Sequence, residues 1–223
     1  MLKSLERDGF TSQKRLAPDL GTIEVARALG RVVDVEALLP LSKIPTVQSL
    51  KPRTQDEVGL NRYSGHYGLD AFPLHTDLAH WIVPPHYVLL RCIAGSKDVF
   101  TNILPWAPIV DIVGMPVIRK ALFSRRRRRI GSSMLVRALM EYGKTTIMRW
   151  DPIFLEPVNK DAQVLASTML DGRRNAKVKK ILLNEPGDSL LIDNWRTLHG
   201  RSQISAESKL RHVERVYLDE VHQ

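Results

Sequence analysis

The sequence predicts a mainly β chain, a sandwich or barrel of short strands with helical decoration. After Pro52 it breaks into short segments rich in Val, Ile, Leu, Thr and Tyr, separated by Gly, Pro, Asn and Asp. The regular strand–helix alternation of a parallel sheet is missing. A length of 223 residues suits one domain with a substantial core, so a single domain over residues 1–223 is expected.

Each element has its own signal. From Ser12 to Leu39, the residues Ile23, Ala26, Leu29 and Val33 recur at helical spacing, punctuated by Gly30 and Pro40, which predicts one or two short helices. HYVLLRCIA, DVFTNILP, KTTIMRW, KVKKILLN, DSLLIDN and RHVERVYLD read as strands. Ala107 to Leu122, Ser132 to Tyr142 and Asp161 to Met169 read as helices between them.

Composition narrows the class. Hydrophobic residues at 43% and charged residues at 26% are ordinary for a globular chain and argue against wholesale disorder. No apolar run is long enough to span a bilayer, and MLKSLERDGF lacks the apolar stretch of a signal peptide, so a cytoplasmic, membrane-free protein is expected. The single cysteine, Cys92, sits in the apolar stretch YVLLRCIAG and is read as a buried, inert thiol. Alone, it excludes an internal disulfide and a cysteine metal cluster.

The net charge of +9 attracts anionic partners in principle. Much of it sits in Arg125 to Arg129, with Arg137, Lys144, Arg149, Arg173, Arg174, Lys177, Lys179 and Lys180 downstream. The lysine-rich stretch is read as a solvated face, because no aromatic residue is interleaved as a base-stacking platform requires. For the arginine run two readings stand: an exposed helix end, or a lid that reads an anionic substrate.

The chemistry-bearing residues are histidines and carboxylates. In FPLHTDLAHW, His75 and Asp77 are two residues apart, so on an extended segment both side chains point to one side. Two histidines and one carboxylate on one face are the ligand set of non-haem Fe(II) and leave positions open for other ligands. A His-x-acid pair alone carries little weight, and His212-Val213-Glu214 is a second one in the same chain. Later, in GDSLLIDNWRTLHGRS, a strand-like run leads through Asp193 and Asn194 to His199, which supplies a third ligand.

Taken together, His75, Asp77, Thr101 in VFTNILP, His199, and Arg211 and Arg215 in RHVERVYLD resemble the taurine dioxygenase and clavaminate synthase-like family of Fe(II)/2-oxoglutarate oxygenases. The resemblance runs from Asn61 to Asp219 and rests on the order and spacing of these residues. It implies a double-stranded β-helix, or jelly-roll, barrel. It also implies iron held by His75, Asp77 and His199, with 2-oxoglutarate and O2 as co-substrates. A dicarboxylate bound to metal at one end needs a fixed cation at the other, and guanidinium grips carboxylate bidentately. On a strand Arg211, Val213, Arg215 and Tyr217 share one face. The resemblance assigns Arg211, assisted by the Thr101 hydroxyl, to the distal carboxylate of 2-oxoglutarate. Arg215 goes to that carboxylate or to an acidic group on the substrate.

The activity so implied is hydroxylation of an unactivated carbon, with 2-oxoglutarate decarboxylated to succinate. Asp77 disfavours halogenation, since related halogenases carry a small residue there. The expected substrate is a small anionic or zwitterionic metabolite, and homo-oligomerisation stays open. The family often carries an insertion over its active site, and residues 107–145, with the arginine run, fall there. Two other classes compete: an oxygenase acting on a macromolecular anion such as nucleic acid, and a catalytically silent metal- or acid-binding barrel. His66, His80 and His86 are read as structural histidines or as lining the entrance. Asn61, Tyr63 or His66 is expected near substrate. Trp81 and Pro84-Pro85 should shape a turn, Trp195 should pack beside the distal histidine, and Asp193 and Asn194 should orient His199.

Overall fold

A computed structural model describes residues 2–38, 44–126, 134–171 and 178–222. In chain order the first elements are α1 (Leu2–Asp8), β1 (Phe10–Gln13), α2 (Thr22–Leu29), β2 (Gly30–Val32), α3 (Val35–Leu38), β3 (Gln48–Leu50) and α4 (Tyr63–Tyr67). Then come β4 (Phe72–His75), β5 (Tyr87–Ala94), β6 (Phe100–Pro105), α5 (Ala107–Val113), α6 (Met115–Lys120), β7 (Leu122–Arg125), β8 (Leu135–Arg137), β9 (Leu139–Tyr142) and β10 (Thr145–Met148). The chain continues through β11 (Leu155–Pro157), α7 (Lys160–Leu170), β12 (Lys179–Leu182), β13 (Ser189–Asp193), β14 (Thr197–Arg201) and β15 (His212–Val221).

The architecture is mainly β with helices, and the paired strands run antiparallel. A large sheet runs β1-β13-β5-β15-β2, with β3 also on β15, and a four-stranded sheet runs β12-β6-β14-β4. Val88, Leu90 and Cys92 of β5, Leu190 and Ile192 of β13, and Val213 and Tyr217 of β15 meet Ile103 and Ile181 of the smaller sheet in one core. The other face of the large sheet carries Leu89, Leu191, Val216 and Leu218 against Leu5, Val25 and Ala26 of α1 and α2. Strands β5 and β13 are thus covered on both faces, which is why they read as continuous apolar runs rather than as alternation. The remaining face of the smaller sheet packs Leu104 and Leu198 against α5, α6, α7 and a further small sheet, β11-β7-β8.

Strands fall where the six β segments are expected, and α7 brackets Asp161 to Met169; its Asn159 side chain caps the helix by accepting from the Ala162 amide. Cys92 is buried, as read. Elsewhere the structure corrects the sequence reading. Ala107 to Leu122 is two helices, broken at Gly114, whose φ of 86° suits glycine, and Leu122 already belongs to β7. In Ser132 to Tyr142, the described residues form β8 and β9 rather than a helix. Val136 is buried between exposed Leu135 and Arg137, a period of two, and Gly143 at φ 59° lets β9 turn tightly into β10. Within Ser12 to Leu39, the two short helices form as α2 and α3, but Ser12 lies in β1 and β2 separates the helices. Strands therefore begin well before Pro52.

Candidate active site

Strands β4 and β14 of the smaller sheet bring the two histidines together. His75 and His199 are direct partners across the ladder, and their ring centroids lie 4.7 Å apart. At Gly200 any side chain would collide with the carbonyls of Phe72 and Pro73, so glycine lets the two strands close up beside His199. The chain leaves β4 after His75 and presents Asp77 to both rings: His75 Nε2 is 3.5 Å from Asp77 Oδ1, and His199 Nε2 is 3.4 Å from Asp77 Oδ2. One ligand atom from each of the three lies within 4.8 Å of the others, and all three residues are buried.

Each of these side chains is held in its orientation. His75 Nδ1 donates to the Pro73 carbonyl at 2.9 Å, which fixes the tautomer and leaves the Nε2 lone pair facing Asp77. The Asp77 amide donates to Asn194 Oδ1 at 2.9 Å, while Asn194 Nδ2 donates to the Asp77 carbonyl at 3.0 Å and to the Pro85 carbonyl at 2.9 Å. Asn194 therefore clamps the backbone of Asp77 and not, as expected, His199. Asp193 instead accepts from the Trp195 and Arg196 amides and from the Arg196 guanidinium. Trp195 donates to the Pro84 carbonyl at 2.8 Å and stacks on His86 at 3.7 Å, which ties the turn after the ligand pair to the strand before His199.

Electrostatics suit a cation at this point. Burial opposes the Asp77 charge, but Arg215 and His199 hold its carboxyl well below the usual range, so it is ionised. Burial keeps the His199 imidazole neutral, the form that binds metal. For His75 burial is the largest single influence and opposes protonation, yet Asp77 and its other partners together raise it. The donor set of two nitrogens and one carboxylate matches non-haem iron, and the cluster contains no thiolate.

Arg215 stands on β15 opposite Gln48 of β3. Its Nη1 donates to both oxygens of Asp77 at 2.9 Å, and its Nη2 donates to Gln48 Oε1 at 2.7 Å. The sequence points Arg215 at a ligand's acid group, whereas in the structure it grips the ligand-set carboxylate itself. Arg211, just before β15, is buried with its Nε unpartnered among the described residues, and burial depresses its guanidinium. Thr101 is buried on β6, on the same face as Ile103, which is the ladder partner of His199.

Of Asn61, Tyr63 and His66, the structure brings Tyr63 against His75, and Asp151 joins it with no local sequence signal. The Tyr63 ring stacks on His75 at 4.1 Å. Asp151 is buried beside it, its Oδ1 accepting from the Ile153 and Phe154 amides, and burial raises its carboxyl. The Tyr63 hydroxyl is close enough for Asp151 to raise its pKa, though no hydrogen bond of ordinary geometry joins them. Arg149, fully buried, donates to the carbonyls of Ala79, Trp81 and Ile82. Of the arginine run, Arg125 ends a strand rather than a helix, and Arg127 to Arg129 lie outside the described residues. Lys179 and Lys180 are exposed on β12, a solvated face as read, while Arg173, Arg174 and Lys177 fall outside the described residues. His66 bonds the Leu60 carbonyl at 2.7 Å, a structural role. No described helix is long and apolar enough to cross a membrane.

No family model matches the chain. Clavaminate synthase 2 of Streptomyces clavuligerus is 28% identical over 166 residues, covering 65% of this chain and 48% of that protein. The chain thus spans about half the length of the curated relative it matches. Among solved structures, asparagine oxygenase in complex with Fe(II), 3-hydroxyasparagine and succinate superposes with a TM-score of 0.68 at 17% identity, over 97% of this chain and 77% of that one. The non-haem iron oxygenase OrfP, with iron, succinate and hydroxyarginine, gives 0.65 at 19% identity, over 98% and 77%. This chain is similar in sequence to a clavaminate synthase and shares the fold of the non-haem iron oxygenases.

Proposed function

We propose that the chain is an Fe(II)- and 2-oxoglutarate-dependent oxygenase that hydroxylates an unactivated carbon of a small, amino-acid-like substrate. The observation that carries this is the convergence of His75, Asp77 and His199 on one point. The buried Arg211, whose Nε has no partner among the described residues, supports it, as do relatives whose bound iron, succinate and hydroxylated amino acids match such a reaction. The two facing sheets are read as the halves of a double-stranded β-helix within a single domain over residues 1–223. Residues 107–145 are read as an insertion, whose described helices α5 and α6 pack on the outer face of the smaller sheet.

His75 and His199 present Nε2, and Asp77 a carboxylate oxygen, as three ligands on one face. Iron held there would supply oxygen activation, with 2-oxoglutarate and O2 as co-substrates. Arg211 takes the distal carboxylate of 2-oxoglutarate by charge-assisted hydrogen bonds, and the Thr101 hydroxyl donates to the same group. Arg215 keeps Asp77 ionised and fixes its orientation. Tyr63 covers one face of His75 and excludes water from it. Asp151 offers a fixed carboxyl to the ammonium group of the substrate. Asp77 fills the position a halide would need, so hydroxylation is the outcome.

The test is succinate release by the Fe(II)-loaded protein across a panel of amino acids and other small acids, with anaerobic 2-oxoglutarate binding followed in parallel. Lack of both 2-oxoglutarate binding and succinate formation would sink the reading in favour of a silent metal-binding fold.

A further inference from the structure

Near the proposed metal ligands, an imidazole and two guanidinium groups gather that the proposed reaction does not use. His80 follows Asp77 by three positions, and Arg149 fixes it in place by donating to the carbonyls of Ala79 and Trp81 on either side. The His80 ring packs on Phe154 at 5.4 Å, and its Nδ1 is buried with no partner among the described residues. Phe154 in turn packs on Tyr63 at 6.1 Å, and Tyr63 stacks on His75. Two aromatic rings, Phe154 and Tyr63, therefore link His80 to His75.

Arg125 reaches the same place from β7. It is the ladder partner of Leu155, the residue after Phe154, and the Arg126 amide donates to the Phe154 carbonyl at 3.0 Å. The Arg125 Nε is buried without a partner, and no carboxylate among the described residues pairs with its guanidinium. Of the acids nearby, Asp151 is engaged with the Ile153 and Phe154 amides and faces Tyr63 and His75, and Glu156, the residue after Leu155, is exposed on β11 as the ladder partner of Ser124. Residues 127–133, which follow, contain no acid in their sequence. The Arg125 charge also opposes the charging of both His80 and Arg149, so the groups are mutually close and uncompensated. A partly buried guanidinium and a buried imidazole nitrogen, both lacking partners, cost free energy unless a group such as an anion joins them.

We infer that His80 and Arg125 form a subsite for an anionic group, a carboxylate or phosphate, carried by the substrate remote from the carbon that is oxidised. This deepens the oxygenase reading and rests on it only in calling the ligand a substrate. The subsite would separate acidic or phosphorylated amino acids from their neutral counterparts.

The experiment uses the chain loaded with Fe(II) and 2-oxoglutarate under anaerobic conditions, and titrates L-glutamate, O-phospho-L-serine and neutral L-glutamine, reading intrinsic tryptophan fluorescence and calorimetry. An anionic probe should bind about tenfold or more tightly than L-glutamine, the worth of a charge-assisted hydrogen bond. The better of the two identifies carboxylate or phosphate. In Arg125→Gln, and separately in His80→Gln, that preference should fall to about twofold or less, with 2-oxoglutarate affinity unchanged. No preference in the wild type, or one that survives both substitutions, overturns the subsite. The Fe(II)–2-oxoglutarate charge-transfer absorption is recorded first. If it is missing, the oxygenase reading fails, and the probe preference, measured on the same sample, still decides whether an anion subsite exists.

Discussion

Arg215 Nη1 sits 2.9 Å from both carboxylate oxygens of Asp77, the same two oxygens that face the imidazoles of His75 and His199. Before any metal arrives, Asp77 already has a cationic partner, and a metal must share the carboxylate with it.

Removing Arg215 therefore leaves a buried charge without its main counterion. Arg215→Met should destabilise the metal-free protein by about 3–5 kcal/mol, the usual cost of breaking one side of a buried pair. Metal at saturation should restore part of the loss by taking over the carboxylate. Urea denaturation with and without Mn(II) checks this, and an equal loss in both states would contradict it.

The ligand and co-substrate roles separate by mutation. His75→Ala should lower divalent-metal affinity by at least about 100-fold. Arg211→Ala should keep the metal and weaken 2-oxoglutarate by about tenfold or more, since a charge-assisted contact to the distal carboxylate is lost. Calorimetric titration of each variant, first with Mn(II) and then with 2-oxoglutarate, distinguishes the two. If Arg211→Ala binds 2-oxoglutarate normally, another cation holds the distal carboxylate.

Asn194 touches no proposed metal position, yet its amide holds the Asp77 amide and carbonyl together. Asn194→Ala should cost about 10–100-fold in metal affinity by releasing that backbone. Asn194→Asp keeps the acceptor for the Asp77 amide and should recover more than Asn194→Leu. A loss of stability without a loss of metal affinity would assign Asn194 to folding alone.

His80 gives the pH dependence a window. Burial, helped by the Arg125 charge, lowers its pKa from 6.5 to about 4. The unfolded chain then binds a proton that the folded chain refuses, so stability is highest above pH 6.5 and declines as pH falls from there to about 4. A shift of this size is worth about 3 kcal/mol at most. Chemical denaturation of metal-free protein at several pH values should show the decline, and His80→Gln should flatten that part of it.

The sequence made the interior strands and the ligand set legible, for different reasons. Strands β5 and β13 are buried on both faces, so their apolar runs are long enough to recognise alone. His75, Asp77 and His199 are singled out by their order along the chain with Thr101 and Arg211, which resembles that of an oxygenase family. Strands β1, β2 and β3 are short, and their strand character comes from pairing with β13 and β15, which no local pattern encodes. The segment containing β8 and β9 misleads because a few apolar residues satisfy helical and alternating periods equally well. Gln48 and Asp151 reach the site from separate segments as single residues, so only the fold reveals them. Arg215 was legible as a site residue, but its partner was not, because Asp77 is brought to it by the packing of one sheet on the other.

The direct pairing of His75 with His199 also bears on how the protein comes apart. These residues sit on one rung between β4 and β14, at a point where the register shifts just beyond His199. An ion held by both rings acts as a rivet through that rung, joining segments far apart in the chain. Slippage of either strand by one residue would turn one imidazole to the opposite face and pull the rivet out. Loading the site thus selects one alignment of the two strands, and the amide protons around Thr76 and Gly200 become a gauge of how often that alignment is lost.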